Sequence, residues 1–179
     1  MTKENLCVFY ASNYHLALVL MEYLRKKKGE NTKILTFMQD NIEKEIKMIK
    51  ENYKERFQKT AKINFKKNPS NYLRANFTNN SLNNLKTFNS KRGKENLIII
   101  TSGSLNYIEK INKEIQSKIN TIEIINKKEN NINKERNIAN SKITIINCYN
   151  FEEQKKYMPK ILKQNDKILY TSGERELEK

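Results

Sequence analysis

Leu97-Ile98-Ile99-Ile100 is four apolar residues in a row with no polar alternation. A strand that is apolar at every position must be covered on both faces, and such strands belong to parallel sheets lying between helices. The same look recurs at residues 6–10, 34–38, 142–148 and 168–170, with residues 121–125 read as a further strand and 62–66 as a short one. Between these runs the apolar residues change period. Leu16, Ala17, Leu20, Met21 and Leu24 fall at helical spacing, and Gly29 ends that pattern. Asp40 is the expected cap of a helix through Ile42, Ile46, Ile49, Tyr53 and Phe57. Leu105, Ile108, Ile111, Ile115 and Ile119 make a third stripe, and residues 151–164 a fourth, with Pro159 starting a second short helix inside it. Strands alternating with helices predict an α/β fold, a three-layer α/β/α arrangement with a mainly parallel sheet. Residues 1–179 read as a single α/β domain, with an Asn/Lys-rich irregular segment at 64–96 and a polar loop at 127–141.

The longest apolar run, residues 16–21, stops at Glu22, so no transmembrane helix is expected. No cleavage pattern follows the first apolar stretch, and the expected location is cytoplasmic. Cys7 and Cys148 are too far apart in sequence to share a metal-ligand spacing, and both fall in predicted strands, where burial is expected. The four glycines, at 29, 93, 103 and 173, exclude a standard phosphate loop and a G-x-G-x-x-G dinucleotide fingerprint. No metal site and no cofactor are expected. An enzyme of unrecognised type would have to centre on Ser12 and the single histidine, His15. The competing reading makes His15 a packed or capping residue.

Lysine and arginine number 35 against 20 acidic residues, a formal net charge of +15. Lys, Asn and Ile supply 29, 27 and 22 residues, the bias of an AT-rich genome, which explains much of the lysine. The field is real whatever its origin, and it draws the chain to polyanions. It is also uneven: residues 51–96 hold 11 basic and 3 acidic groups, net +8, more than half of the excess. The same segment carries Tyr53, Phe57, Phe65, Tyr72, Phe77 and Phe88. Cations for phosphates and rings for bases are what single-stranded nucleic acid needs. Lys66, Lys67, Arg74, Lys91, Arg92 and Lys94, with Tyr72 and Phe77, are the candidate contacts. On the alternative reading the rings anchor helices while the lysines face water.

Ligands of open parallel sheets bind beyond the carboxyl ends of the strands. Here those ends carry Ser12, Asn13 and His15, then Thr101, Ser102, Gly103 and Ser104, and finally Ser172 within a second Thr-Ser-Gly. These are the candidate ligand-binding residues, because hydroxyls and free N–H groups at a helix start can hold an anion or a polar small molecule. Ordinary turn chemistry is the other reading, with Ser104 as a helix cap and Gly103 at positive φ.

Several pieces together resemble a known family. They are Val8-Phe9-Tyr10 on the first strand, Gly29-Glu30 before the second, and Asn147-Cys148-Tyr149-Asn150 closing a late strand ahead of a Pro-started helix. In this order they resemble the MEDS domain, the sensory domain of methanogens and methylotrophs. The chain departs from that pattern in the adjacency of Cys148 and Tyr149 and in Asn150 where Asp is usual. The resemblance implies a RecA-like layer fold without its phosphate loop. It also implies a non-catalytic sensory or regulatory role, with a small ligand or a signalling protein as partner. The alternative is a nucleic-acid-associated accessory protein using residues 51–96.

Overall fold

The structure is a computed structural model that describes residues 2–27, 32–57, 96–129 and 142–177. Six strands form one sheet: β1 (Thr2–Tyr10), β2 (Thr32–Met38), β3 (Asn96–Ser102), β4 (Lys142–Asn150), β5 (Lys167–Tyr170) and β6 (Gly173–Glu176). Their order across the sheet is β2-β3-β4-β1-β5-β6. Every pairing is parallel except β5 with β6. The helices are α1 (Asn13–Lys26), α2 (Glu43–Asn52), α3 (Lys54–Phe57), α4 (Leu105–Glu129), α5 (Phe151–Gln154) and α6 (Met158–Gln164), with a 3₁₀ turn at Lys155–Tyr157.

The sheet is covered on both faces, as its apolar strands require. Alternate residues of one strand divide between the two layers. On β1, Leu6, Val8 and Tyr10 join a core built with Leu16, Leu20 and Met21 of α1 and Ile46 and Ile49 of α2. Leu97 and Ile99 of β3 and Ile143 and Ile145 of β4 face the other way, against Ile111, Ile115 and Ile119 of α4. Cys7 and Tyr149 continue that second layer to Ile161 of α6. The α/β, mainly parallel, three-layer arrangement is therefore present. Both cysteines are fully buried and unpaired. Among the described residues, no helix is long and apolar enough to cross a membrane.

Several boundaries differ from expectation. Residues 121–125 are not a strand; α4 runs unbroken through them to Glu129. Ile119, Ile122 and Ile125 keep the helical period, and no Gly or Pro interrupts it, so continuity of the helix overrides local β preference. The predicted loop at 127–141 begins in the same helix, and its residues 130–141 lie outside the described residues. Asn96, placed in the irregular segment, opens β3. Thr101 and Ser102 belong to β3 instead of breaking it, and β4 extends to Asn150. Asp40 does not cap α2: it accepts the Tyr10 hydroxyl hydrogen bond at 2.7 Å, while Asn41 Oδ1 accepts from the Glu43 N–H at 3.1 Å. The helix expected through residue 57 is interrupted at Tyr53, which leaves the buried stripe and is exposed. β6 has no counterpart among the expected strands, because Gly-Glu-Arg-Glu has no apolar pattern. The short strand expected at 62–66 lies outside the described residues.

Candidate functional site

Ligand crevices in open sheets form where neighbouring strands send their following helices to opposite faces. Two such places exist here. Between β1 and β4, α1 leaves toward one layer and α5–α6 toward the other. Between β2 and β3, α2 and α4 diverge in the same way.

The β2–β3 crevice is filled by the protein itself. Gln39 Oε1 accepts from the Ser104 N–H at 3.2 Å, where the α4 N-terminus would otherwise face an anion. Ser104 Oγ caps the helix by accepting from the Tyr107 N–H at 3.2 Å. Gly103 has φ +142, and a Cβ there would collide with the Gln39 carboxamide. Ser102 is buried and its hydroxyl accepts from the Asp40 N–H at 3.3 Å. At the β1–β4 crevice, Ser12 caps α1 by accepting from the His15 N–H at 3.1 Å, and His15 Nδ1 accepts from the Ala11 N–H at 3.1 Å. Asn13 is the exposed first residue of α1.

The structure does not bring all of the candidate ligand residues together. Ser12, Asn13 and His15 form one capping unit, and Ser102, Gly103 and Ser104 form another with Gln39. Ser172 sits apart, its carbonyl accepting from Lys26 Nζ at 3.4 Å on the flank of α1. Lys66, Lys67, Tyr72, Arg74, Phe77, Lys91, Arg92 and Lys94 lie outside the described residues.

Thr101 leads to a different place. It is fully buried on the α4 side, where its hydroxyl donates to Asn147 Oδ1 at 2.9 Å. Asn112 Nδ2 donates to the same oxygen at 2.8 Å. Asn147 Nδ2 donates to Asn165 Oδ1 at 3.0 Å, and Asn165 Nδ2 to the Ile161 carbonyl at 2.7 Å. The chain of amides thus ties β3, β4, α4 and the end of α6 in a layer that is otherwise apolar. Asn147 and Asn165 are only 3% and 1% exposed.

This network forms the floor of a cleft of about 400 Å³ between α4 and α6. Asn5, Asn112, Asn147, Gln164 and Asn165 supply amides to it, Tyr149 a buried ring, and Lys3, Lys113, Lys160 and Glu109 the charges around its mouth. Glu109 pairs with Lys160 at 3.0 Å and accepts from Gln164 at 3.3 Å. The Lys160 contact holds its carboxyl below the usual range. Burial pushes the Tyr149 hydroxyl up, so it stays a neutral hydrogen-bonding group. Asn5 Oδ1 is buried and has no hydrogen-bond partner among the described residues. The cleft can therefore hold a small molecule by several neutral hydrogen bonds, with a net positive mouth for an anionic group. Sequence reasoning alone does not find this cleft. The one signal available to it is polar Asn147 at an inward position of a run buried on both faces.

No protein-family model matches the chain, and no curated protein or solved structure does so either.

Proposed function

We propose that this protein is a non-catalytic sensory or regulatory domain that binds a small, polar, net-anionic molecule in the α4–α6 cleft and relays occupancy to a partner protein. The observation that carries the reading is the buried amide chain opening into a cleft ringed by three lysines. Polar groups in a core cost free energy unless each has a partner. A network of this extent beside a ligand-sized cleft supports binding more than bare scaffolding. The groups from which the sequence could have built nucleophilic chemistry are engaged otherwise. Ser12 and His15 cap α1, and burial pushes the Cys7 thiol up to about 12 and Cys148 well above its ordinary value. The sensory part of the reading follows the MEDS resemblance.

Thermal shift across a panel of small anions tests it: amino acids, hydroxy acids, sugar phosphates and nucleotides. A ligand present at 100 times its Kd adds about 2.7 kcal/mol to stability. The shift should fall sharply in the double variant Lys113→Glu, Lys160→Glu. An equal shift in wild type and variant places the ligand elsewhere, and no shift with any member of the panel removes the reading.

A further inference from the structure

On the opposite face, α1, α3 and the β5–β6 turn enclose a second concave surface. Two adjoining depressions of about 260 and 320 Å³ share Glu22 and Thr171 as a common wall. Tyr53 stands in one and Tyr170 in the other, 49% and 45% exposed. Lys26 and Lys27 line the first depression and Arg56 the second. The single acid between them is neutralised: Glu22 is buried and its carboxylate binds both Arg25 and Arg56. Glu174, at the far side, is paired with Lys167 at 3.3 Å. Thr171 and Ser172 present exposed hydroxyls along the join. The most basic stretch of the sequence, residues 51–96 at net +8, starts on this surface with Tyr53 and Arg56.

We infer that this groove binds single-stranded nucleic acid. Tyr53 and Tyr170 give two separate platforms for unpaired bases, and Lys26 and Lys27, with the one positive charge left when Arg25 and Arg56 pair with Glu22, give cations for the linking phosphates. Duplex bases are already stacked on one another and cannot enter the two depressions. An acidic peptide would use the cations but not the rings. The site shares no residue with the amide cleft, so it stands or falls independently of the function proposed above.

The test is fluorescence anisotropy with labelled 12-mers of dT and U, with a 12-base-pair duplex and with labelled poly-glutamate, at near-physiological salt. Single strands should bind and the duplex should bind much more weakly. Tyr53→Ala and Tyr170→Ala should each weaken single-strand binding roughly 5- to 100-fold with unchanged melting temperature, since both rings are on the surface. Tyr→Phe at either position should restore it. Lys26→Glu should flatten the log–log salt slope by about 0.7, because one phosphate is no longer neutralised. Lys113→Glu with Lys160→Glu, on the other face, should leave binding close to wild type. The inference is overturned if the tyrosine substitutions have no effect, if duplex or poly-glutamate binds as well as the single strand, or if no binding persists at that salt. The first two outcomes would reduce the interaction to attraction by the overall +15 charge.

Discussion

At position 147 an isoleucine would continue the pattern of Ile143 and Ile145 and add ~1.5–3 kcal/mol of burial. The chain has asparagine instead, and three side chains are arranged to satisfy it. Asn147→Ala removes the acceptor of Thr101 and Asn112 and the donor to Asn165. Thr101 and Asn112 keep second acceptors in the Ile146 and Ile108 carbonyls, so the cost falls mainly on the buried Asn165 oxygen and on the cavity, and denaturant unfolding should show a loss of ~1–3 kcal/mol. A loss below ~0.5 kcal/mol would show that the amides do not act as a unit. Glu22 gives a second residue-scale expectation. Burial alone would raise its pKa, but hydrogen bonds from Arg56 and Arg25 outweigh burial and lower it from 4.5. A carboxyl with a depressed folded-state pKa contributes stability above its unfolded value and loses it as pH falls through the folded value. The melting-temperature gap between wild type and Glu22→Gln should therefore be widest near neutrality and close below about pH 4.5. A gap that does not change with pH would mean that the ion pairs contribute nothing.

At the scale of elements, sequence periodicity locates five of the six strands among the described residues, because a strand buried on both faces carries its signal in every residue. It fails where two signals compete or none exists. Residues 121–125 satisfy both a strand and a helical period, and only the unbroken length of α4 decides between them. β6 is polar throughout and exists because the Thr-Ser-Gly turn returns the chain beside β5. The candidate site is legible only in part. Caps such as Ser12 and Ser104 can be read locally, whereas the amide cleft joins residues from 5 to 165 that only the fold brings together. The β3–α4 junction offers a direct check. Gly103 needs φ +142, and a Cβ there would displace the exposed Gln39 carboxamide. Gly103→Ala should destabilise by ~1–3 kcal/mol, chiefly from backbone strain. Adding Gln39→Ala relieves only a contact with a movable side-chain end and loses the acceptor of the Ser104 N–H, so the double variant should keep the strain cost. A Gly103→Ala variant as stable as wild type would show that this backbone conformation carries no strain.

For the whole molecule, the sheet order sets where stability resides. β4 lies between β3 and β1 and pairs along its length with both, and all of its residues from Ile143 to Tyr149 are buried. β1 is held firmly by β4 but meets β5 only near Leu6 and Cys7. β6 is a short antiparallel edge whose Glu174, Arg175 and Glu176 are exposed. Elements that bury little apolar surface open below the free energy of global unfolding, and central strands open only with it. Native-state hydrogen exchange should therefore find the slowest amides in β3, β4 and β1, sharing one opening free energy, and much faster ones in β6 and its turn. Ile99 tests whether that slow group is one cooperative unit. It is 1% exposed and packs in the layer formed with Ile111, Ile115 and Ile145. Ile99→Asp puts an unpaired carboxylate there, a change that should unfold the domain. Protection in β4 and β1 should vanish together with that in β3. Slow exchange in β6 matching β4, or a folded Ile99→Asp variant with β1 still protected, would contradict a single core centred on β3, β4 and β1.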